Sequence, residues 1–406
     1  MNKLTFTLLL AFSLRGLPQE AVTFTGKVVD AETSEALPFS TIHVRNTPHG
    51  VVANKNGEFD LIVTEGDEIE VSTLGYLPRT FQLNTLKRTS QNVLGLTNQP
   101  ILLTEVIVSG EKEQLIGEEI LKQAIKNQKK NFPTDNYALS VFFRETIQVD
   151  SQHAKLVEAA ATIHGKKYPN RTKKVFIDQI RTSNDVEMPE PVATHLANYN
   201  PFREFQSLTG KIGKIRACKS CTYEVEGYIS HHGKPAVIIG SVRNSPKFPR
   251  FFRYTIDLES FAVLTLEFES TQAFGQGLPS DLGTYQSNLN YLRRVYSFQE
   301  YNGSYYLSRY HQQAVFEYRS RTDSTDSHQT THDFTIVTNN YQAATEAPTE
   351  EENEMSYKDQ ISEAKKSYNP DFWKSYNILK QNSLDQKIID DLSKNQSVDS
   401  LFSKEK

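Results

Sequence analysis

The stretch FRYTIDLESFAVLTLEFE, residues 252–269, reads as two strands joined by a turn. Its second half alternates: Leu264, Leu266 and Phe268 stand against Thr265, Glu267 and Glu269, the period of two that puts one side of a strand in a core and the other in water. Asp257-Leu258-Glu259-Ser260 is the joint. Strand patterns continue outward over residues 136–345, in YALSVFFRETI (137–147), KLVEAAATIHG (155–165), FIDQIRTSND (176–185) and YEVEGYISHHGKPAVIIG (223–240). Asn302-Gly303 is a strong hairpin signal and His232-Gly233 a second turn, since such two-residue turns need positive φ. These features predict a large, curved antiparallel sheet domain over 136–345.

Composition agrees with a mainly β chain. Among 406 residues there are 23 Phe and 19 Tyr against three Met and one Trp, and Thr and Val are frequent, which favours strands over a helical bundle. The length implies two or three domains. A net charge of −4 with dispersed Lys and Arg offers no basic face, so nucleic acid is excluded as a partner class. Lys3 followed by the apolar run Leu4 to Leu14 predicts a signal peptide over residues 1–22. No cysteine near its end marks a lipid anchor, and no later stretch is long enough for a transmembrane helix. The expected location is the periplasm or the outer-membrane surface.

Residues 23–108 hold short β-type runs: Val22 to Asp30, Ser40 to Arg45, Glu58 to Val63, Glu68 to Thr73 and Pro100 to Val108. Leu37-Pro38, Pro48-His49-Gly50, Asn56-Gly57 and Glu65-Gly66-Asp67 separate them, each able to reverse the chain. A small antiparallel β-sandwich is the prediction. Here TGKVVDAETSEALPFSTIHVRNTPHGVVANKNGEFDLIV (25–63) and EGDEIEVSTLGYLPRTF (65–81) resemble the carboxypeptidase-regulatory-like domain of Bacteroidetes envelope proteins. Gly26, Asp30, Pro38, Gly50, Asn56, Gly57, Phe59, Gly75 and Tyr76 carry the resemblance, with TEVIVSG (104–110) closing it. It implies a transthyretin-like sandwich acting as a structural or docking module, and no peptidase activity by itself. The segments of the large domain resemble the second region of uncharacterised proteins of that group. The segments 223–240 and 252–269 also look like the half-barrel of periplasmic lipoprotein carriers.

Between the domains, residues 109–135 change period. Leu115, Ile116, Ile120, Leu121, Ala124 and Ile125 share one face, which predicts an amphipathic linker helix ending near Asn131-Phe132-Pro133. Residues 346–406 begin with an acidic, apolar-poor joint and continue into short C-terminal helices. Asn369-Pro370 is a helix start, and Phe372, Trp373, Tyr376 and Leu379 form an apolar stripe expected to dock on the sheet domain. Ser383 to Gln386 matches a capping box before Leu384, Ile388, Ile389 and Leu392.

Catalytic motifs are missing. His328 and His332 lack the Glu of a helical zinc-protease motif and read as surface histidines; His231-His232 reads as a water-facing turn. No nucleophile elbow, phosphate-binding loop, metal set or cofactor motif stands out. Glu145 and Glu158, in neighbouring strands, are the carboxylates that a glycosidase pair would draw on; structural ion pairs are the alternative. Cys218 and Cys221, in ACKSCTYEV, are expected to form a local disulfide in an exported protein. The reading is a non-catalytic binding or scaffolding protein of the cell envelope, whose partner is another envelope protein, a glycan or an apolar ligand. A glycan-cleaving enzyme and a carrier of an apolar ligand are the alternatives.

Overall fold

A computed structural model describes residues 21–64, 66–83, 92–99, 110–166, 173–183, 188–196, 221–243, 250–271, 280–343, 354–355, 368–374, 376–378, 380, 388 and 392. The signal segment, Pro100 to Val108, Cys218, Leu379 and the capping box at 383–386 lie outside them.

The first unit is a sandwich of two sheets. Strands β1 (Ala21–Asp30), β4 (Glu58–Thr64) and β7 (Asn92–Leu96) form one in the order β4-β1-β7. Strands β2 (Thr41–Val44), β3 (Gly50–Val52), β5 (Glu68–Ser72) and β6 (Arg79–Gln82) form the other in the order β3-β2-β5-β6. Strict alternation in β4 turns Phe59, Leu61 and Val63 inward, onto Phe24, Val28, Ile42 and Ile69. The expectation of an all-antiparallel sandwich is corrected at one place. β7 runs parallel to β1, because the chain makes a crossover before returning beside it. β3 and β7 are too short, and β6 too polar, to stand out from sequence.

Several residues behind the resemblance have physical roles here. The carboxylate of Asp30 accepts the Glu32 and Thr33 amides at 2.8 Å each, and the Tyr76 hydroxyl donates to it at 3.0 Å. Gly57 sits at φ +76, and a Cβ there would lie 2.5 Å from the Val28 carbonyl oxygen, so no other residue fits the turn into β4.

The second unit is an eleven-stranded sheet. Its strands are β8 (Tyr137–Val149), β9 (Gln152–Gly165), β10 (Lys173–Thr182), β11 (Cys221–His231), β12 (Lys234–Arg243), β13 (Arg250–Asp257), β14 (Val263–Thr271), β15 (Ser280–Leu282), β16 (Tyr285–Tyr301), β17 (Ser304–Ser320) and β18 (Ser327–Ala343). The order is β10-β9-β8-β18-β17-β16-β14-β13-β12-β11, antiparallel throughout, with β15 added on β16. The β16–β17 turn has Asn302 at φ 49 and Gly303 at φ 77, and the β11–β12 turn has His232 at φ 49 and Gly233 at φ 79. Asp257 shapes the β13–β14 joint by accepting the Glu259 and Ser260 amides at 3.1 and 2.7 Å.

Helix α1 (Gly110–Asn131) lies on one face of this sheet. Leu121 and Ala124 join a core with Tyr223, Ile239, Tyr254, Tyr296 and Phe334. Gly117 allows the close approach, since a Cβ there would stand 3.0 Å from the Tyr223 carbonyl oxygen.

The C-terminal segment lies on the opposite face. Asn369 caps α3 (Pro370–Lys374), its side-chain oxygen accepting the Asp371 and Phe372 amides at 3.1 and 3.3 Å. Trp373 packs on Phe142 and Ala160, with Phe372 and Tyr376 alongside, and the Arg181 guanidinium lies 4.5 Å from its ring centroid. Tyr376 donates to the Val141 carbonyl at 2.9 Å. Ile388 and Leu392 pack on Leu156. The acidic joint is fastened to the sheet. Glu354 bridges Phe176 on the edge strand β10, and the Met355 amide donates to the Val175 carbonyl at 2.8 Å.

This segment also reaches the sandwich. The Asn377 carboxamide oxygen accepts the Ile62 amide at 2.9 Å, its carbonyl accepts from Asn339 at 2.7 Å, and Lys380 pairs with Asp60 at 2.8 Å. Trp373→Ala is expected to lower the unfolding free energy by about 3–5 kcal/mol, the usual cost of emptying a large aromatic site. Trp373→Phe should lose far less, because the indole Nε1 has no acceptor to forfeit. Urea denaturation of both variants checks this.

Candidate functional site on the helix-bearing face

Residues paired across an antiparallel sheet share a face, and neighbours along a strand take opposite faces. On the α1 face one row runs Phe268, Arg294, Gln312, Phe334, Glu145, Val157. The next runs Leu292, Ala314, His332, Ile147, Lys155. Phe316 and Thr330 follow, paired to each other, and then Tyr318. Helix α2 (Glu190–Leu196) brings His195 over this end of the face.

The polar groups are hydrogen-bonded in two clusters. The Gln312 oxygen accepts from Arg294 Nε at 2.8 Å and from the Tyr310 hydroxyl at 2.9 Å. His195 Nδ1 lies 2.6 Å from the Tyr318 hydroxyl, Thr330 donates to that hydroxyl at 3.5 Å, and His332 Nε2 lies 3.2 Å from Thr330 Oγ1. The His195 ring stands edge-on to Phe316 with centroids 4.7 Å apart. Burial pushes the His332 imidazole down to about 3, helped by His195, and pushes the Tyr318 phenol up to about 12. His195 is lowered by burial as well. These groups are therefore neutral near pH 7.

Glu145 differs from all of them. It is 6% exposed, flanked across the strands by Phe334 and Val157, and among the described residues its carboxyl has neither a hydrogen bond nor an ion pair. Burial raises it to about 7, against the weaker pull of Lys155. A carboxyl in that state is partly protonated at neutral pH and is able to donate a hydrogen bond to an oxygen in an apolar setting.

Two readings of the sequence are corrected. Glu158 pairs with Arg144 rather than with Glu145's row, so the two carboxylates point to opposite faces and cannot act on one bond. Glu158 is fully buried between Arg144 Nε at 2.6 Å and Arg181 Nε at 2.5 Å, and the two guanidinium charges outweigh burial to hold its carboxyl below the usual range. His332 is not a surface residue but 1% exposed. His328 is held by Asp150 at 2.8 Å and Asp326 at 3.3 Å. Cys221 opens β11 in disulfide-bonded form. Among the described residues no group of three or more His, Cys, Asp or Glu is placed to hold a metal ion.

Residues 24–108 match the family model of the CarboxypepD_reg-like domain. The sandwich is a CarboxypepD_reg-like domain. No curated protein matches the chain. Among solved structures, a domain of the outer-membrane lipoprotein-sorting type from Vibrio parahaemolyticus is similar at 6% identity and TM-score 0.24, covering 58% of this chain and 95% of that one. A DUF1329 family protein from Desulfovibrio piger aligns at 8% identity and TM-score 0.24, over 57% of this chain and 95% of that one. Lipovitellin aligns at 9% identity and TM-score 0.29, over 57% of this chain and 28% of that one. At such scores the likeness carries no argument about function. No described helix is long and apolar enough to cross a membrane.

The Glu145 environment sets a sign for pH dependence. Its folded-state affinity for a proton exceeds that of the unfolded chain, so between about pH 4.5 and 7 the unfolded state binds fewer protons and stability falls as pH rises. The full effect is roughly 2–4 kcal/mol at about 1.4 kcal/mol per tenfold change in proton affinity. Glu145→Gln should flatten that decline and melt above the wild type at pH 8, as thermal unfolding across pH would show.

Proposed function

We propose that the protein is a non-catalytic binding protein of the bacterial cell envelope, holding an apolar or amphipathic ligand against the α1 face of the large sheet. The observation that carries this reading is Glu145, a buried carboxyl set among Phe334, Val157 and Ile147 that has no hydrogen-bond or ion-pair partner among the described residues. An uncompensated polar group in such a place is costly, and a ligand oxygen that accepts its proton removes the cost. The neighbouring imidazoles and phenol are neutral hydrogen-bonding groups suited to a polar head rather than to an ion. The CarboxypepD_reg-like domain serves as docking module, and export is read from the apolar run Leu4 to Leu14. N-terminal sequencing of the protein from cells would find the chain starting after about residue 17 if that run is removed.

The neutral probe N-phenyl-1-naphthylamine tests the site. Saturable binding that Ala314→Trp blocks, with Ala314 placed between Leu292 and His332, is the expected result. Absence of saturable binding, or binding indifferent to that substitution, overturns the reading.

The tail belongs to the same proposal. Its contacts with Phe142, Ala160 and Leu156 lie on the face away from α1, so it acts as a permanent part of the core and not as a displaceable lid. Its apolar groups contribute roughly 5–8 kcal/mol before ordering costs. Truncation after Thr345 should abolish cooperative unfolding. A truncated chain that stays folded and gains binding of the probe would make the tail a lid.

A further inference from the structure

The face opposite α1 holds a second group without a counterpart. Arg309 lies on β17 between Ser297 and Val337. It is 6% exposed, yet among the described residues its guanidinium has no hydrogen bond and no carboxylate at ion-pair distance. Its electrostatic neighbours are of both signs: Asp333 acts on it more strongly, and Arg293 opposes it. Lys55 and Arg144 act on Asp333 in turn. Arg144 and Arg293 are already engaged, with Glu158 and Glu267 at 2.6 Å each. Arg309 and the exposed Lys55 are not so engaged among the described residues. His311, one row along the same face, is pushed down to about 3 by burial and by Arg309 and Arg293, and so adds no charge of its own.

What touches Arg309 is the ring of Phe39, from the CarboxypepD_reg-like domain, with its centroid 3.6 Å from the guanidinium carbon. Phe39 is unusual on two counts: it is 41% exposed, and its backbone lies at φ 60. A bulky residue in the left-handed region is strained and persists only where its surroundings hold it there. The stacked ring occupies a face of the guanidinium and leaves the N–H donors in its plane unused. A carboxylate or phosphate binds arginine in that plane, by two parallel hydrogen bonds.

We propose that Arg309, with Phe39 over it and with Lys55 acting on the neighbouring Asp333, forms an oxyanion-binding site at the junction of the sandwich and the large sheet. The site takes a carboxylate or phosphate group. It is independent of the ligand proposed for the α1 face, since Arg309 and Tyr310 are neighbours along β17 and point to opposite faces.

Thermal unfolding of the full chain in inorganic phosphate, in acetate and in chloride at matched ionic strength tests the proposal. The expected result is a saturable rise in Tm with phosphate or acetate beyond the chloride effect. The more effective of the two identifies the group the site prefers. Arg309→Met should abolish that rise. In anion-free buffer it should melt at or above the wild type, because removing an unpaired buried charge relieves a cost. Lys55→Met, an exposed substitution, should raise the half-saturating concentration roughly two- to fivefold, the scale of an exposed ion pair. Equal responses to all three salts overturn the site and leave an adventitious ion only. So does a phosphate or acetate rise that survives in Arg309→Met. If Arg309→Met does not fold, an unchanged half-saturation in Lys55→Met overturns it.

Discussion

The pairing of β8 with β18 is the constraint on which the rest depends. The first strand of the large domain lies beside its last, from Tyr137 opposite Ala343 to Val149 opposite Thr330. That seam puts Glu145 across from Phe334 and Arg144 across from Thr335, and it assigns every side chain of the central strands to a face. A slip of one residue would exchange the faces, carrying Glu145 onto the charged side and Arg144 into the apolar core. A single irregularity between Thr338 and Asn340 shifts the alternation before the strand ends. It leaves Tyr341 among the core residues and lets Asn339 reach the tail.

Local signals made much of the fold legible. The alternation of 263–269, the Asn302-Gly303 and His232-Gly233 turns and the period change over 111–131 each predict an element that is present. Each rests on neighbours in sequence. The parallel β7 and the seam between strands nearly the whole domain apart were not legible, because pairing partners separated by folded chain leave no local mark. The site suffered in the same way. Glu145 stood out as an acid inside a strand, but whether it met Glu158 depended on register, and a single step places them on opposite sides. His332 read as a surface residue because SHQTTHDF is polar in composition, and its depth comes from strands on both sides and from α2 above. Arg309 had no signal at all. Its environment is made by a residue of the other domain.

The two faces treat charge differently. On the α1 side, burial drives Glu145, His195, His332 and Tyr318 toward neutrality. On the other side several charges are kept and paired, Glu158 between two guanidinium groups and Arg253 and Arg293 about Glu267, with Arg309 the exception. The sandwich and the C-terminal segment cover that charged side, and their hydrogen bonds run through Asn377, His49, Asn339 and Ile62. One asparagine thereby ties three parts of the chain together, which makes their relative placement a property of the full-length protein.

The attachment of Glu354 and Met355 to β10 has a bearing on self-association. An eleven-stranded open sheet ends in edge strands whose free amides and carbonyls invite another chain to pair. β10 is one of those edges, and the bridge from Phe176 to Glu354 and the bond from Met355 to Val175 occupy part of it. Glu354 and Met355 thus guard part of that edge, satisfying the backbone where a copy would otherwise add, and Lys174 holds the Glu354 carboxylate there at 2.8 Å.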